Sequence, residues 1–132
     1  MKESTRSVIA STFEASNAGR IHFGEVIGQL VSVQVESYSV DYRSGRATYF
    51  LPEGSTLDLL FQPAGNGIAV EFSAAALRDA IIGAQQGKVM YPEFKLLSQA
   101  AGCTGYTVWI TGRHVTYYGR NGETHVERFP DQ

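Results

Sequence analysis

The sequence has few of the residues that metal and redox sites require. Cys103 is the only cysteine among 132 residues, so no disulfide can form within the chain, and a reducing compartment is expected. The three histidines, His22, His114 and His125, are scattered along the chain, whereas metal ligands usually recur two to four residues apart. His125 and Glu127 form a His-x-Glu pair, but no Pro-Cys-x-x-Cys motif follows it. We therefore expect no bound metal and no other cofactor.

Strong charge and long apolar runs are also missing. The formal net charge of −2 does not provide the clustered basic surface that nucleic acid binding requires, so no nucleic acid partner is expected. Apolar runs fall far short of the roughly 20 residues of a membrane-spanning helix. The first seven residues are polar and contain no apolar segment for secretion. The cytoplasm is the expected location.

Common catalytic motifs are absent as well. The chain contains no Gly-x-Ser-x-Gly nucleophile elbow, and the glycine pair at 65–67 lacks the third glycine of a dinucleotide-binding loop. Acidic residues occur singly, so no pair of carboxylates for glycosidase chemistry is apparent. No catalytic residue is predicted, and whether the protein is an enzyme stays open.

The composition of the sequence is typical of a folded globular protein. With 43% hydrophobic and 18% charged residues, it can form one domain over 1–132 with its own core. Apolar residues at helical spacing, bounded by capping residues, glycine or Pro92, predict four helices. These helices span residues 4–17, 22–30, 73–87 and 91–102.

Alternating β-branched and aromatic residues predict the strands. The apolar phase slips within 33–42, which indicates a bulge near Glu36 and Ser37 or a strand that starts late. Residues 57–61 are too few to classify. The predicted fold is α+β, with about four helices packed on an antiparallel sheet that ends in a three-stranded meander. The predicted strands span 33–42, 46–51 and 68–72, followed by 106–111, 114–119 and 123–129 in the meander.

The first turn of the meander has a clear register. A tight turn at Thr111 and Gly112 places Trp109 opposite His114 and points Trp109 away from the core face. That core face is expected to carry Tyr106, Val108, Ile110, Val115 and Tyr117.

The second turn allows two registers. A type I′ turn at Asn121 and Gly122 puts Val126 on the core face, whereas a three-residue loop with a bulge at Gly122 puts His125 and Glu127 there. We favour the first, because two unpaired buried polar groups cost about 1–3 kcal/mol each.

The favoured register predicts a binding surface of aromatic rings and titratable groups. The alternative is that the fourth helix or the N-terminal strands cover this face and make Trp109 part of the core. The predicted surface consists of Trp109, His114, Tyr118, His125, Glu127 and Phe129.

Several segments, in their order along the chain, give it a family resemblance. The sequence resembles the YbcV-like family of small uncharacterised bacterial and phage proteins, some of them labelled phage envelope protein. The resemblance implies an α+β fold and a chain of about this length, and it implies no reaction, cofactor or catalytic residue. The segments are Val35-Glu-Ser-Tyr38, Gly45 through Tyr49-Phe50, Ala84-Gln-Gln-Gly-Lys88, Tyr91 with Phe94, Ala100-Ala-Gly102, and Thr116-Tyr-Tyr118 with Gly122.

Two functions follow from these patterns. The first is a non-enzymatic binding or protein-interaction module, either a homodimer or bound to an unknown protein partner, that uses the aromatic face or a sheet edge. The alternative is a small-molecule-binding protein or enzyme with a pocket between sheet and helices. A deep pocket holding two or more converging polar side chains would favour the alternative. The pocket lining is expected to include Tyr38, Tyr49, His114, Tyr118 and His125.

Overall fold

A computed structural model describes residues 1–130. The elements in chain order are α1 (Glu3–Asn17), α2 (Phe23–Ser32), β1 (Ser37–Asp41), β2 (Arg46–Phe50), β3 (Thr56–Leu60), α3 (Ala74–Gln85), α4 (Tyr91–Ala100), β4 (Cys103–Trp109), β5 (His114–Gly119) and β6 (Thr124–Arg128). The predicted α+β fold, with a C-terminal meander of β4, β5 and β6, is confirmed.

The strands form one six-stranded antiparallel sheet in the order β3-β2-β1-β4-β5-β6. Two three-stranded units therefore meet where β1 pairs with β4, with Tyr38 opposite Val108. The chain passes through α3 and α4 between the two units. This topology brings residues far apart in sequence side by side at the middle of the sheet.

All four helices pack on one face of the sheet. Strand positions that face them are buried, as in the alternating pattern of β5, where Val115 and Tyr117 are buried and Thr116 is only partly so. Ile9, Leu30 and Leu77 contribute fully buried side chains from α1, α2 and α3. This helix-facing side holds the core, as expected when one face of an antiparallel sheet is covered.

Two strand predictions need correction or completion. Residues 68–72 are not a strand: the Ala69 amide donates to the Gln99 carbonyl, and the Arg120 guanidinium donates to the carbonyls of Ile68 and Ala69. These hydrogen bonds pair the backbone polar groups of an irregular segment, so the segment does not need to pair with another strand. Residues 57–61, too short to classify from sequence, contribute most of β3. Of the two explanations for the phase slip, the late start is confirmed, since β1 begins at Ser37.

The register of the last hairpin was predicted wrongly. The Gly119 amide donates to the Glu123 carbonyl at 2.8 Å, which closes a three-residue loop with Gly122 at a φ of 82°. Val126 is therefore paired with Thr116 on the open face, and Tyr117 with His125 on the helix-facing side. The cost argument that favoured the other register fails, because the two polar side chains bond to each other and β6 is an edge strand.

Candidate functional site

A cavity of about 510 Å³ lies between the helices and the sheet. Residues from all four helices line it, together with the helix-facing positions of β1, β2, β4, β5 and β6. Its volume lies within the range of about 300–1,000 Å³ that is typical of small-molecule sites. This cavity is therefore the candidate functional site.

Tyrosine dominates the polar lining of the cavity. Tyr38 and Tyr49 are cross-strand partners on β1 and β2, and their rings stack with centroids 5.1 Å apart. Tyr106 and Tyr117 are partners on β4 and β5, with centroids 5.7 Å apart, and Tyr91 comes from the start of α4. All five line the cavity. Side-chain alternation along the strands explains the cluster, because each strand tyrosine occupies a helix-facing position.

The hydroxyl groups of these tyrosines fall into two sets. The Tyr106 hydroxyl donates to the Tyr91 hydroxyl at 2.7 Å. The hydroxyls of Tyr38, Tyr49 and Tyr117 make no hydrogen bond within residues 1–130, although each side chain is more than nine-tenths buried. No unpaired side-chain polar atom of the described residues is sealed from water, so these three hydroxyls open onto the cavity.

Burial keeps these phenols protonated. It raises the pKa of Tyr38 well above the ordinary value, and the nearby Tyr49, Tyr91 and Tyr117 add to that rise. Burial also raises the pKa of Tyr49 and of Tyr117, and it brings the pKa of Tyr91 to about 12. A charged phenolate is disfavoured where water is scarce. At neutral pH the cavity therefore presents neutral O–H donors.

Charged groups are found on the β6 side of the cavity. Glu127 lines it and accepts a 3.1 Å contact from the Nε2 of His125, both side chains being about one-fifth exposed. Phe129 also lines the cavity, where the Arg113 guanidinium lies 5.5 Å from its ring centre and Phe23 packs edge-on against it. Charged and aromatic side chains thus lie together on the β6 side of the cavity.

The six predicted site residues divide between the two faces of the sheet. Trp109, His114 and Tyr118 lie on the open face, as predicted from the first turn of the meander. His125, Glu127 and Phe129 were predicted to join them, but the register of the last hairpin places His125 and Glu127 on the helix-facing side, where Phe129 packs against the core. The structure does not bring the six together as one surface.

The open face retains an aromatic patch. Trp109 is 41% exposed, so the alternative that helices or strands bury it is wrong. Its indole N–H donates to Thr116 at 3.2 Å, and its ring centre lies 6.3 Å from that of His114. The Tyr118 hydroxyl donates to Thr107, which also bonds to Ser39.

Sequence reasoning missed part of the cavity lining. It included Tyr38 and Tyr49 correctly, but it assigned Tyr106 and Tyr117 to the core alone and gave Tyr91 no role. A signal was present: six of the seven tyrosines fall on the helix-facing side, which is an unusual polar content for a core. His114 and Tyr118, also expected in the lining, lie on the open face.

Metal and thiol chemistry find no support in the described part of the chain. Within residues 1–130, no group of three or more His, Cys, Asp or Glu side chains could hold a metal ion. Cys103 is fully buried, and burial raises the pKa of its thiol to about 11, which keeps it protonated. Nor does any helix among these residues have the length and apolar character needed to cross a membrane.

Comparison with known proteins places the chain in a family. Residues 12–127 match the family model described as "Protein of unknown function (DUF1398)". The chain belongs to the DUF1398 family. No curated protein matches the chain. Membership of the DUF1398 family indicates no specific function, so the functional proposal is based on the geometry of the cavity.

Proposed function

We propose that this DUF1398 protein binds a small molecule in the cavity between its helices and its sheet. One observation carries the proposal: Tyr38, Tyr49 and Tyr117 are each more than nine-tenths buried as residues, and their hydroxyls lack a partner within residues 1–130 and open onto a cavity of about 510 Å³. Hydrogen-bond donors that lack a protein partner and line a cavity of this size are available to a bound ligand. A cavity lined by several polar side chains supports the small-molecule-binding alternative over the interaction module.

A fluorescent apolar probe tests the proposal. N-phenyl-1-naphthylamine should brighten when it enters the cavity of the wild-type protein. Ala84 lines the cavity from α3, so Ala84→Phe should fill part of it and weaken binding about 10-fold or more. Ala75 is exposed on the same helix, and Ala75→Phe should bind the probe like wild type.

Two results would contradict the proposal. One is a wild-type protein that does not enhance the probe's fluorescence. The other is a folded Ala84→Phe variant that binds as tightly as wild type. Probe binding lost in Trp109→Ala and retained in Ala84→Phe would place the probe on the open face.

A second candidate function uses the open face as an interaction surface, with a second copy of the chain as the simplest partner. Exposed apolar side chains favour it, since Trp109 is 41% exposed and Val126 is 55% exposed on this face. Light scattering should then give a dimer for wild type and a monomer for Trp109→Ala. Phe129→Ala, on the helix-facing side, should remain dimeric. A wild-type protein that is strictly monomeric would count against this function.

The phage-related origin and the cytoplasmic location of the protein are also proposals. The YbcV-like resemblance and the phage label rest on sequence segments alone, and they are an analogy. A cytoplasmic location is favoured by the single buried cysteine, which needs no oxidising compartment. Cell fractionation with an antibody to the native protein would test the location.

A further inference from the structure

This inference rests on the proposed function and concerns the chemical class of ligand that the cavity binds. We propose that its ligand is a largely apolar molecule carrying an uncharged carbonyl oxygen, and that the hydroxyls of Tyr38, Tyr49 and Tyr117 supply the hydrogen bonds to that oxygen, about two at a time at most. A ketone, an ester or an amide belongs to this class. The three tyrosines act as specificity-determining groups in a lining that is otherwise apolar over most of the sheet.

The unpaired hydroxyls of the three tyrosines are available as hydrogen-bond donors. A neutral phenol has one O–H to give, and within residues 1–130 those of Tyr38, Tyr49 and Tyr117 have no acceptor. The Tyr106 hydroxyl differs, because it already donates to Tyr91. A ligand that supplied an acceptor would therefore satisfy groups that the protein leaves open.

Tyr38, Tyr49 and Tyr117 all line the same cavity, so a ligand bound there lies against the side of the sheet that carries them. The Tyr38 and Tyr49 rings stack at 5.1 Å between centroids, on adjacent strands. Tyr117 lies on β5, and its ring centre is 5.7 Å from that of Tyr106, another tyrosine of the cavity lining. Between and around them the sheet offers Val40, Ala47 and Val108, which suit the apolar body of a ligand.

The surroundings of these donors favour an uncharged acceptor. The cavity lining from β1, β2 and β4 consists of tyrosine, valine and alanine, without a cation. Arg113 and Arg128 belong to the β6 side, where Glu127 is also present. The desolvation that disfavours a phenolate at Tyr38 disfavours a ligand carboxylate in the same place. A carbonyl dipole meets the donors without that cost.

Three compounds with the same ring system provide the test: naphthalene, 2-acetylnaphthalene and 2-naphthoate. Each is titrated against wild-type protein carrying N-phenyl-1-naphthylamine, and displacement gives its Kd. The ketone is expected to bind about 10-fold more tightly than naphthalene, which corresponds to one or two net hydrogen bonds. The carboxylate is expected to bind more weakly than the ketone.

Variants identify the donors. In Tyr38→Phe, Tyr49→Phe and Tyr117→Phe the advantage of the ketone over naphthalene should shrink, and in the triple variant it should vanish. Tyr118→Phe removes a hydroxyl from the open face and should leave the advantage intact. The carbonyl stretching frequency of the bound ketone gives a second readout. It should be lowered in wild type and rise in the triple variant.

The outcomes separate this inference from the proposed function. Equal affinity for naphthalene and the ketone, tightest binding of the carboxylate, or an unchanged ketone advantage in the triple variant would overturn the inference while probe binding still supports the cavity. Failure of all three naphthalenes to displace a bound probe would overturn it too. Failure of the probe itself to bind would overturn both.

Discussion

The Tyr106 hydroxyl donates a 2.7 Å hydrogen bond to the Tyr91 hydroxyl and so links the middle of the sheet to the first turn of α4. The bond joins two phenols whose rings are otherwise surrounded by aromatic side chains, with Tyr117 beside Tyr106 and Phe94 beside Tyr91. It connects the last helix to the strand that directly follows it. The contact therefore fixes one wall of the cavity.

Loss of this bond should reduce stability. Tyr106→Phe is expected to lower the free energy of unfolding by about 1–2 kcal/mol, because the partly buried Tyr91 hydroxyl loses its donor. Tyr49→Phe removes a hydroxyl that has no partner within residues 1–130, and it should leave the free energy of unfolding unchanged or slightly raised. Urea unfolding of both variants and wild type measures the difference. Equal stability of the two variants would contradict the assignment.

Gly102 should tolerate no side chain. It has a φ of 88°, and a methyl group there would overlap the carbonyl oxygen of Glu71 in the irregular segment that precedes α3. Gly102→Ala is expected to cost about 2–4 kcal/mol, from backbone strain plus displacement of that segment. Gly122 has a φ of 82° with open space around it, so Gly122→Ala should cost only about 1–2 kcal/mol. A Gly102→Ala variant no less stable than Gly122→Ala would contradict the packing.

Alkaline pH should destabilise the protein through its buried phenols. Burial raises the pKa of Tyr38, Tyr42 and Tyr106 well above 10.0, and that of Tyr91 to about 12. Above about pH 10 the unfolded chain releases phenol protons that the folded chain retains. The stabilisation that these phenols provide is therefore complete below about pH 10. Above that pH the free energy of unfolding falls by about 1.4 kcal/mol per pH unit for each such tyrosine.

Urea unfolding at several values from about pH 8 to about pH 11, with phenolate absorbance recorded in parallel, checks this slope. Tyr91→Phe should make the slope shallower. Ionisation of the buried tyrosines near pH 10 in a protein that is still folded would contradict the prediction.

A matched pair of valines tests the register of the last hairpin. Val126 on β6 is 55% exposed, and Val108 on β4 is 0% exposed. Val126→Thr should change the free energy of unfolding by less than about 0.5 kcal/mol. Val108→Thr should lower it by about 1–3 kcal/mol, because its hydroxyl is buried among apolar side chains. Thermal or urea unfolding measures both. A large cost at Val126 would mean that it faces the core.

Part of the candidate site could be predicted because it depends on local pattern. The turn at Thr111 and Gly112 set the pairing of Trp109 with His114, and alternation along β4 and β5 then decided which side each residue faces. Tyr38 and Tyr49 were also expected to line a pocket between sheet and helices. Their places in the lining agree with that expectation.

The other part could not be predicted because competing local geometries are close in free energy. Gly122 is compatible with two hairpin registers, and the choice between them moves His125 and Glu127 across the sheet. The estimate that favoured the wrong one assumed that these side chains would be buried without partners. They bond to each other on an edge strand and remain partly exposed, so the assumed cost does not arise.

By itself the sequence determined the number and order of the helices, the meander and the inward alternation of its tyrosines and valines, because hydrophobic periodicity and turn residues act over a few neighbouring positions. Only the tertiary structure decided that β1 pairs with β4, that all four helices cover the same face, and that tyrosines from four strands and a helix surround one cavity. Those relationships join residues distant along the chain. They depend on how whole elements pack, which no local pattern specifies.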